Sequence, residues 1–151
     1  MFKQVFTESQ EQTKKFAQEL AKKLLKKKRK KALVLALKGE LGSGKTTFLQ
    51  GLAKGLKIKE KILSPTFVIM KRFPLPFQGR FFYHIDCYRI QKPEEVLKLG
   101  FEEIISSPQN IVAVEWAEKI KKFLPPETIW LEFKVKEENK REVTINSPFW
   151  I

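Results

Sequence analysis

The sequence predicts an α/β fold, a mainly parallel sheet flanked by helices with an antiparallel hairpin at its C-terminal end. A glycine-rich loop at 39–46 lies between an apolar run at 32–37 and an amphipathic segment, the order of a strand, a loop and a helix. A second apolar run at 111–114 is rich in branched side chains, as in a strand buried on both faces. Because the chain has 151 residues, about the length of one domain, we expect residues 1–151 to form a single unit.

The first helix is predicted from about residue 9 to residue 27. Polar residues at 7–10 resemble a capping box, and apolar side chains then recur at helical spacing. The helix runs into the sequence KKKRKK at 26–31, here called the basic run. The basic run is either a nucleic-acid patch or a solvated helix end that the helix dipole favours. No aromatic side chains interleave with it to stack on bases, which favours the solvated end.

The loop at 39–46 has the sequence GELGSGKT and fits the phosphate-binding pattern G-x-x-x-x-G-K-[ST]. Its glycines tolerate positive φ and let backbone N–H groups approach a phosphate at the N-terminus of the following helix. Lys45 would reach the β- and γ-phosphates, and the Thr46 hydroxyl would bind Mg²⁺. A plain glycine-rich turn is the alternative, but strand, loop, Lys-Thr pair and helix occur in the required order. The predicted nucleotide-binding residues here are Gly39, Glu40, Leu41, Gly42, Ser43, Gly44, Lys45, Thr46 and Thr47.

Two strands joined by a turn are predicted after this helix. The first lies within 62–70, the turn at 74–79 and the second strand at 81–86, and the two strands can pair as a hairpin. His84 and Asp86 share one face of the second strand by its period of two. A lone histidine is more often a hydrogen-bonded structural residue than a catalyst, so we interpret His84 as structural.

The C-terminal half predicts a helix, a buried strand and a hairpin. The helix at 93–99 starts with a proline and two acids, as a helix N-terminus should. The run at 111–114 delivers Glu115 to the end of a strand that we expect to be central and adjacent to the strand at 32–37. The terminal hairpin is predicted from segments 128–135 and 142–145, which alternate around a polar turn at 137–140.

Composition narrows the class of protein. No apolar run approaches the roughly 18 residues of a membrane helix, and the first residues lack a signal-peptide pattern, so we expect a cytoplasmic protein without membrane contact. Cys87 is the only cysteine, which excludes an internal disulfide, and no Cys/His spacing suits zinc. The net charge of +13 and the pI near 9.8 favour an anionic partner such as RNA. Abundant Lys and Glu also suit a protein from a hot environment.

Two acidic residues that end predicted strands are the candidate catalytic groups. A phosphate loop binds nucleotide, but hydrolysis needs a further acidic group to hold the Mg²⁺ water shell or to orient the attacking water. Asp86 and Glu115 both end strands, where ligands of α/β sheets bind. Each could instead cap a following helix, but the upstream loop favours catalysis. We predict that Glu115 lies beside Thr46 and the metal, and that Asp86 positions water or couples to residues 64–66.

Several short motifs together resemble the TsaE (YjeE) family of bacterial ATPases, which are needed for threonylcarbamoyladenosine formation on tRNA. These motifs are GELGSGKTT at 39–47, SPTF at 64–67, HIDCYR at 84–89, LGF at 99–101 and VEW at 114–116. They occur in the family's order and at about its spacing, over nearly the whole chain. The phosphate loop is common to many families, but the other motifs are more specific. The resemblance implies a P-loop ATPase domain over 1–151, Mg²⁺-ATP as ligand, and a helper role to the TsaB and TsaD proteins.

The resemblance also implies roles for single residues. It matches Lys45 and Thr46 to the nucleotide and metal residues, Glu115 to a metal-binding glutamate and Asp86 to an essential aspartate. Thr66 matches a switch-like segment, and Ser9 and Gln10 match the adenine end of the site. Arg141 matches an arginine of the last hairpin more weakly. The sequence departs from the family at Cys87, where leucine is common, and at the basic run, which enlarges the loop before the first strand. Neither departure touches the phosphate chemistry.

Three functions follow as hypotheses. The first is ATP hydrolysis that is weak alone and stimulated by partners, in a chain that is monomeric on its own and lies near tRNA. The second is a small-molecule or nucleoside kinase, which would need an arginine-rich lid, whereas the chain after Trp116 is short and lysine-rich. The third is a basic RNA-binding module whose salt-dependent RNA binding would survive Lys45→Ala.

Overall fold

Seven strands form one mixed sheet in the computed structural model, which describes residues 1–63, 69–77 and 79–151. The strands are β1 (Phe2–Thr7), β2 (Leu33–Lys38), β3 (Met70–Pro74), β4 (Phe81–Asp86), β5 (Asn110–Glu115), β6 (Ile129–Val135) and β7 (Arg141–Asn146). The α-helices are α1 (Gln10–Leu25), α2 (Lys45–Gly55) and α3 (Phe101–Ser106), and 3₁₀ helices span Pro93–Leu99 and Ala117–Phe123. Within the described ranges, no helix has the length and apolar character needed to cross a membrane.

The strand order is β1-β7-β6-β2-β5-β4-β3. β2 lies at the centre, parallel to both β5 and β6, and β4 lies parallel to β5. Antiparallel pairs complete the sheet at both sides, β3 with β4 at one side and β6 with β7 and β7 with β1 at the other. The predicted α/β class is confirmed, and so is the C-terminal hairpin. The strand that ends in Glu115 is adjacent to the strand before the glycine-rich loop, as predicted.

The two central strands are buried on both faces because their side chains are apolar almost throughout. Residues 33–37 of β2 and all residues of β5 are buried. α1 and α2 pack against each other and cover one face of the sheet. α3 and the 3₁₀ helices cover the other face, where a second apolar cluster lies. The C-terminal ends of β2, β4 and β5 therefore open at one common edge of a rigid layer.

Two glycines of α2 allow its close contact with α1. A Cβ on Gly51 would lie 2.6 Å from the Lys14 Cα and nearer still to the Lys14 carbonyl oxygen, and a Cβ on Gly55 would lie 2.6 Å from the Ala21 Cβ. Carbon atoms in contact normally lie about 3.5–4.0 Å apart, so a larger side chain would push the helices apart. Because α2 begins in the glycine-rich loop, this contact also fixes the position of the loop.

The first helix differs slightly from its prediction. It spans Gln10–Leu25 rather than 9–27, and Ser9 is its N-cap, with the Ser9 Oγ accepting a hydrogen bond from the Gln12 N–H at 3.1 Å. The predicted capping box began at Thr7, but Thr7 ends β1. The box was misplaced because the strand before it was not recognised.

The region after α2 requires a larger correction. We predicted a strand within 62–70, but the strand in the described residues is Met70–Pro74, and residues 64–68, which include Thr66 and the SPTF motif, lie outside them. Only Phe73 is buried in this edge strand, whose exposed basic side chains concealed its β character. Its predicted hairpin with β4 is confirmed. The helix predicted at 93–99 is a 3₁₀ helix.

Candidate nucleotide-binding site

The glycine-rich loop joins the C-terminal end of β2 to the N-terminus of α2, as predicted. Gly42 has φ +78°, and Gly44, the N-cap of α2, has φ +104°, a region that other residues rarely adopt. A Cβ on Gly42 would have no atom within 4 Å, so the loop is open on that side. The first N–H groups of a helix have no acceptor within the helix and carry the positive end of its dipole. This loop can therefore hold an anion.

A cavity of about 440 Å³ opens at this loop. Its wall combines the loop with the ends of β4 and β5, the start of α1 and the C-terminal hairpin. Its volume lies within the range of about 300–1,000 Å³ that is usual for small-molecule sites. The predicted site residues that line it are Leu41, Gly42, Gly44, Lys45, Thr46, Thr47, Asp86, Glu115 and Arg141.

Three other predicted residues of the loop, Gly39, Glu40 and Ser43, do not line this cavity. The Gly39 carbonyl accepts a hydrogen bond from the Lys45 Nζ. Glu40 is exposed, and its carbonyl accepts a hydrogen bond from the Ser43 N–H at 3.1 Å. The Ser43 side chain is buried, and its Oγ has no hydrogen-bond partner among the described residues. The carbonyls of Gly39 and Glu40 therefore hold the loop in shape through contacts with other loop residues.

The start of α1 forms another wall of the cavity. Gln10 and Thr13 line it, whereas Ser9 caps the helix one residue earlier. The Thr13 Oγ1 lies 2.7 Å from the Thr7 Oγ1, which ties the first turn of α1 to the end of β1. The helix start thus lies at the site as the resemblance implied, and a direct role of Ser9 in nucleotide binding stays a prediction.

Lys45 is buried despite its charge, with 5% of the residue exposed. Its Nζ donates to the Gly39 carbonyl and lies 4.1 Å from the centre of the Trp116 ring. Burial lowers the pKa of the Lys45 ammonium, and nearby carboxylates, Glu115 above all, raise it in part. A buried ammonium is costly unless it is paired, so an anion in the cavity would compensate this burial.

Asp86 and Glu115 are cross-strand neighbours at the ends of β4 and β5. The Asp86 Oδ1 accepts a hydrogen bond from the Tyr88 N–H at 2.9 Å. Burial raises the pKa of the Asp86 carboxyl, and this hydrogen bond lowers it in part. The structure brings both acids to the same cavity as the loop. Their separate roles, Glu115 as metal ligand and Asp86 as the group that positions water, stay predictions.

His84 fixes the orientation of Glu115. The His84 Nε2 lies 2.7 Å from the Glu115 Oε2, and both side chains are almost fully buried. The hydrogen bond that we expected for His84 is thereby confirmed, and its structural rather than catalytic role stays a prediction. What sequence reasoning missed is its partner, because the two residues lie on different strands and only the pairing of β4 with β5 brings them together.

Trp116 is a site residue that sequence reasoning left without a role. It follows Glu115 with φ +55°, a strained conformation for a residue with a side chain. The centre of its ring lies 5.3 Å from the centre of the Tyr88 ring, and the Lys45 ammonium lies over the ring. Such strain persists where surrounding contacts impose it, often at functional sites. The signal in the sequence was an aromatic residue directly after a strand-ending acid.

Arg141 begins β7 and links the C-terminal hairpin to the glycine-rich loop. Its Nη2 donates to the Gly42 carbonyl at 3.2 Å. Its Nη1 donates to the carbonyls of Glu137, Glu138 and Lys140 at 3.0–3.1 Å. The predicted arginine of the last hairpin is therefore at the site, where it also holds the hairpin turn in shape.

The residues present fit a magnesium nucleotide. Mg²⁺ prefers oxygen ligands and is usually held by one or two carboxylates together with phosphate oxygens and water. Thr46 and Glu115 line the cavity and offer such oxygens. No group of three or more His, Cys, Asp or Glu that could hold a metal occurs in the described part of the chain. In phosphate loops, oxygens of the bound phosphates supply further ligands for Mg²⁺.

Comparison with known proteins agrees with this geometry. The family model described as "Threonylcarbamoyl adenosine biosynthesis protein TsaE" matches residues 7–143. A tRNA threonylcarbamoyladenosine biosynthesis protein TsaE from Aquifex aeolicus is 40% identical over 147 residues, which cover 96% of this chain and 96% of the relative. The protein of the same name from Rickettsia prowazekii is 39% identical over 139 residues, 91% of this chain and 90% of the relative.

A solved structure is similar as well. The crystal structure of YdiB from Bacillus subtilis superposes with a TM-score of 0.72 at 34% sequence identity. The match covers 97% of this chain and 87% of the YdiB chain. The similarity therefore extends over the whole sheet and its helices.

Proposed function

We propose that this chain, which belongs to the TsaE family, serves in the formation of threonylcarbamoyladenosine on tRNA as a Mg²⁺-dependent ATPase. One observation carries the ATPase assignment. In a single cavity, Lys45 and Thr46 at the start of a helix meet two carboxylates at the ends of neighbouring strands. A helix N-terminus, a lysine, a hydroxyl and acidic groups are the parts that P-loop enzymes use in phosphoryl transfer.

Binding of the phosphates falls to the loop and to Lys45. Loop N–H groups donate to phosphate oxygens, and the glycines allow the close approach that this requires. The Lys45 ammonium, buried within the cavity wall, gains a counter-charge when a phosphate enters. When bound, Mg²⁺ neutralises part of the phosphate charge, and the Thr46 hydroxyl and the Glu115 carboxylate would hold it.

In this proposal, Glu115 and Asp86 have different roles in hydrolysis. His84 holds Glu115 at 2.7 Å, so this carboxylate is oriented before any ligand arrives. Asp86 has a carboxyl whose pKa is raised by burial, which makes it a better hydrogen-bond acceptor for a water molecule. In this assignment Asp86 orients the water that attacks the γ-phosphate.

We attribute slow hydrolysis by the isolated chain to the hydrogen bonds that the Arg141 guanidinium makes within the chain. Transfer of a phosphoryl group is accelerated when an arginine stabilises the charge of the transition state. The Arg141 guanidinium donates to carbonyls of the glycine-rich loop and of its own hairpin turn. A partner that covers the open cavity would exclude water and complete the site. The family resemblance implies that TsaB and TsaD are these partners. We expect the chain to be monomeric on its own and cytoplasmic.

Nucleotide titration tests the binding step. Lys45→Ala should abolish measurable ATP binding in calorimetry while the circular dichroism spectrum stays unchanged, because α2 packs through other side chains. Lys54→Ala, an exposed lysine of the same helix, is the matched control and should bind as wild type does. Unchanged affinity in Lys45→Ala would contradict the nucleotide site.

Product analysis tests the reaction and the partners. Turnover should be slow alone and faster with TsaB and TsaD, with ADP and inorganic phosphate as the only products. Glu115→Gln should weaken the Mg²⁺-dependent part of ATP binding, whereas Asp86→Asn should leave Mg²⁺-ATP binding nearly intact and lower turnover. A phosphorylated acceptor would instead indicate a kinase, and a reversed pattern of the two variants would exchange the roles of the acids.

A further inference from the structure

A second cavity, of about 470 Å³, lies at the edge of the sheet opposite the nucleotide site. It is lined by residues 27–33 with Glu127 and Phe149, and is here called the basic groove. Residues 27–33 lead into β2, whereas the glycine-rich loop follows it. The six residues of β2 span about 20 Å. The two cavities therefore lie at opposite ends of this strand, separated by about its length.

The basic groove concentrates positive charge that few of the described acidic residues offset. Its wall contains four lysines and one arginine from the basic run, against a single carboxylate, Glu127. Within the described ranges, no ion pair joins the basic run to an acidic residue. An unneutralised groove of this kind attracts polyanions.

Arg29 carries donors suited to a phosphate. Its Nε is buried without a hydrogen-bond partner among the described residues, and its Nη1 makes a long bond of 3.5 Å to the Lys27 carbonyl. Burial and the nearby charge of Arg80 lower the pKa of the Arg29 guanidinium. A phosphate beside Arg29 would accept hydrogen bonds from the donors of its planar guanidinium.

The fold also brings aromatic rings to the basic run. Phe149 lines the groove, with the Lys27 Nζ 5.0 Å from its ring centre. Lys27 also donates to the Trp150 carbonyl, and Trp150 is 79% exposed. Cationic side chains beside accessible aromatic faces are the elements of single-strand nucleic-acid sites. The sequence argument for a solvated helix end rested on the absence of such rings near the run.

We infer that the basic groove binds a single-stranded segment of RNA, with phosphates on the basic run and bases on Phe149 and Trp150. A membrane surface fits less well, because Phe149 is half-buried inside a concave cavity that a splayed base can enter and a flat bilayer cannot. The site goes beyond the proposed ATPase and does not depend on it, since the two cavities lie at opposite edges of the sheet.

The test uses the full chain, a fluorescein-labelled RNA of about 12 nucleotides and anisotropy at several salt concentrations. The groove variant is Lys28→Gln/Lys30→Gln/Lys31→Gln, and the matched control is Lys3→Gln/Lys98→Gln/Lys134→Gln, which removes the same charge from other elements. Each single-strand phosphate contact adds about 0.7 to the salt slope, so the groove variant should lower it by about 2 and the control should not. Trp150→Ala should weaken binding about fivefold or more at an unchanged slope.

Hydrolysis of ATP by the groove variant should equal that of wild type, which also shows that it is folded. Equal losses of RNA affinity in the groove variant and the control would mean diffuse charge attraction and would overturn the inference. Binding to phosphatidylcholine vesicles with phosphatidylserine, lost in the groove variant while RNA binding is weak or unaffected, would overturn it in favour of a membrane surface. An RNA salt slope that stays the same in all variants would overturn it as well.

Discussion

Replacing His84 by leucine should damage both stability and Mg²⁺-dependent nucleotide binding, because it removes the group that holds Glu115. The His84 Nε2 and the Glu115 Oε2 are 2.7 Å apart, and their side chains are 1% and 5% exposed. Leucine offers no donor, so the Glu115 carboxylate would stay buried without this partner. Water cannot readily replace the lost hydrogen bond at such burial.

The expected size follows from this geometry. A hydrogen bond to a charged group contributes about 1.5–3 kcal/mol, and removing one partner of a buried pair costs about 3–5 kcal/mol. We expect His84→Leu to lower the free energy of unfolding by about 3 kcal/mol. For a domain of this length, 1 kcal/mol corresponds to about 2–4 °C, so Tm should fall by roughly 6–12 °C.

A double-mutant cycle separates the hydrogen bond from packing. Urea unfolding would be measured for His84→Leu, Glu115→Gln and the double variant, with His84→Gln as the conservative control that retains an amide donor. The cost of His84→Leu should shrink by at least about 1.5 kcal/mol in the Glu115→Gln background, where no charge is left unpaired. His84→Gln should recover part of both stability and Mg²⁺-dependent ATP affinity.

The result that would refute this reasoning is an equal cost of His84→Leu in both backgrounds. His84 would then contribute by filling space alone. Normal Mg²⁺ dependence in a folded His84→Leu variant would likewise show that Glu115 needs no support from His84. Calorimetry at saturating and at zero Mg²⁺ supplies this readout.

Four other properties can be measured directly. Burial raises the pKa of the Asp86 carboxyl, so hydrolysis should increase with pH through a midpoint above about 4, and Asp86→Asn should remove this limb of the pH–rate profile. A carboxyl group whose pKa is raised in the folded state favours folding at low pH, and this contribution disappears as pH rises. In urea unfolding, the stability of Asp86→Asn relative to wild type should therefore increase as the pH is raised from about 3 to about 7. Burial raises the pKa of the Cys87 thiol to about 12, so Ellman's reagent at neutral pH should react with it only after denaturation. Gly51→Ala should lower the free energy of unfolding by about 1–3 kcal/mol, because its Cβ would collide with the backbone of Lys14, and a normal urea midpoint would contradict that contact.

Local patterns were enough to predict the segment from β2 through α2. An apolar run, glycines at turn positions and an amphipathic helix each follow from the preferences of neighbouring residues. The same holds for β5 and for the terminal hairpin, whose hydrophobicity and alternation match their burial. Such elements need no distant partner to be recognisable in the sequence.

Elements stabilised mainly by a distant neighbour escaped prediction. β1 has mostly exposed side chains, and it forms because β7 offers an unpaired edge for its backbone groups. β3 is likewise an edge strand, and α3 has six residues, too few to show helical periodicity. These segments are too short, or too exposed in the sheet, for their apolar residues to reveal the element.

For the functional site, the sequence determined which chemical groups are present and only the tertiary structure decided which of them meet. Lys45, Asp86 and Glu115 could be proposed as a set because each follows or ends a strand whose carboxyl edge is common to the sheet. The contact of His84 with Glu115 depends on the register of β4 against β5. The rings beside the basic run belong to Phe149 and Trp150, which follow β7 and are far from the basic run in the sequence. Residue types and local spacing are encoded within a few positions, whereas these contacts depend on strand pairing between segments far apart in the chain, which no local pattern specifies.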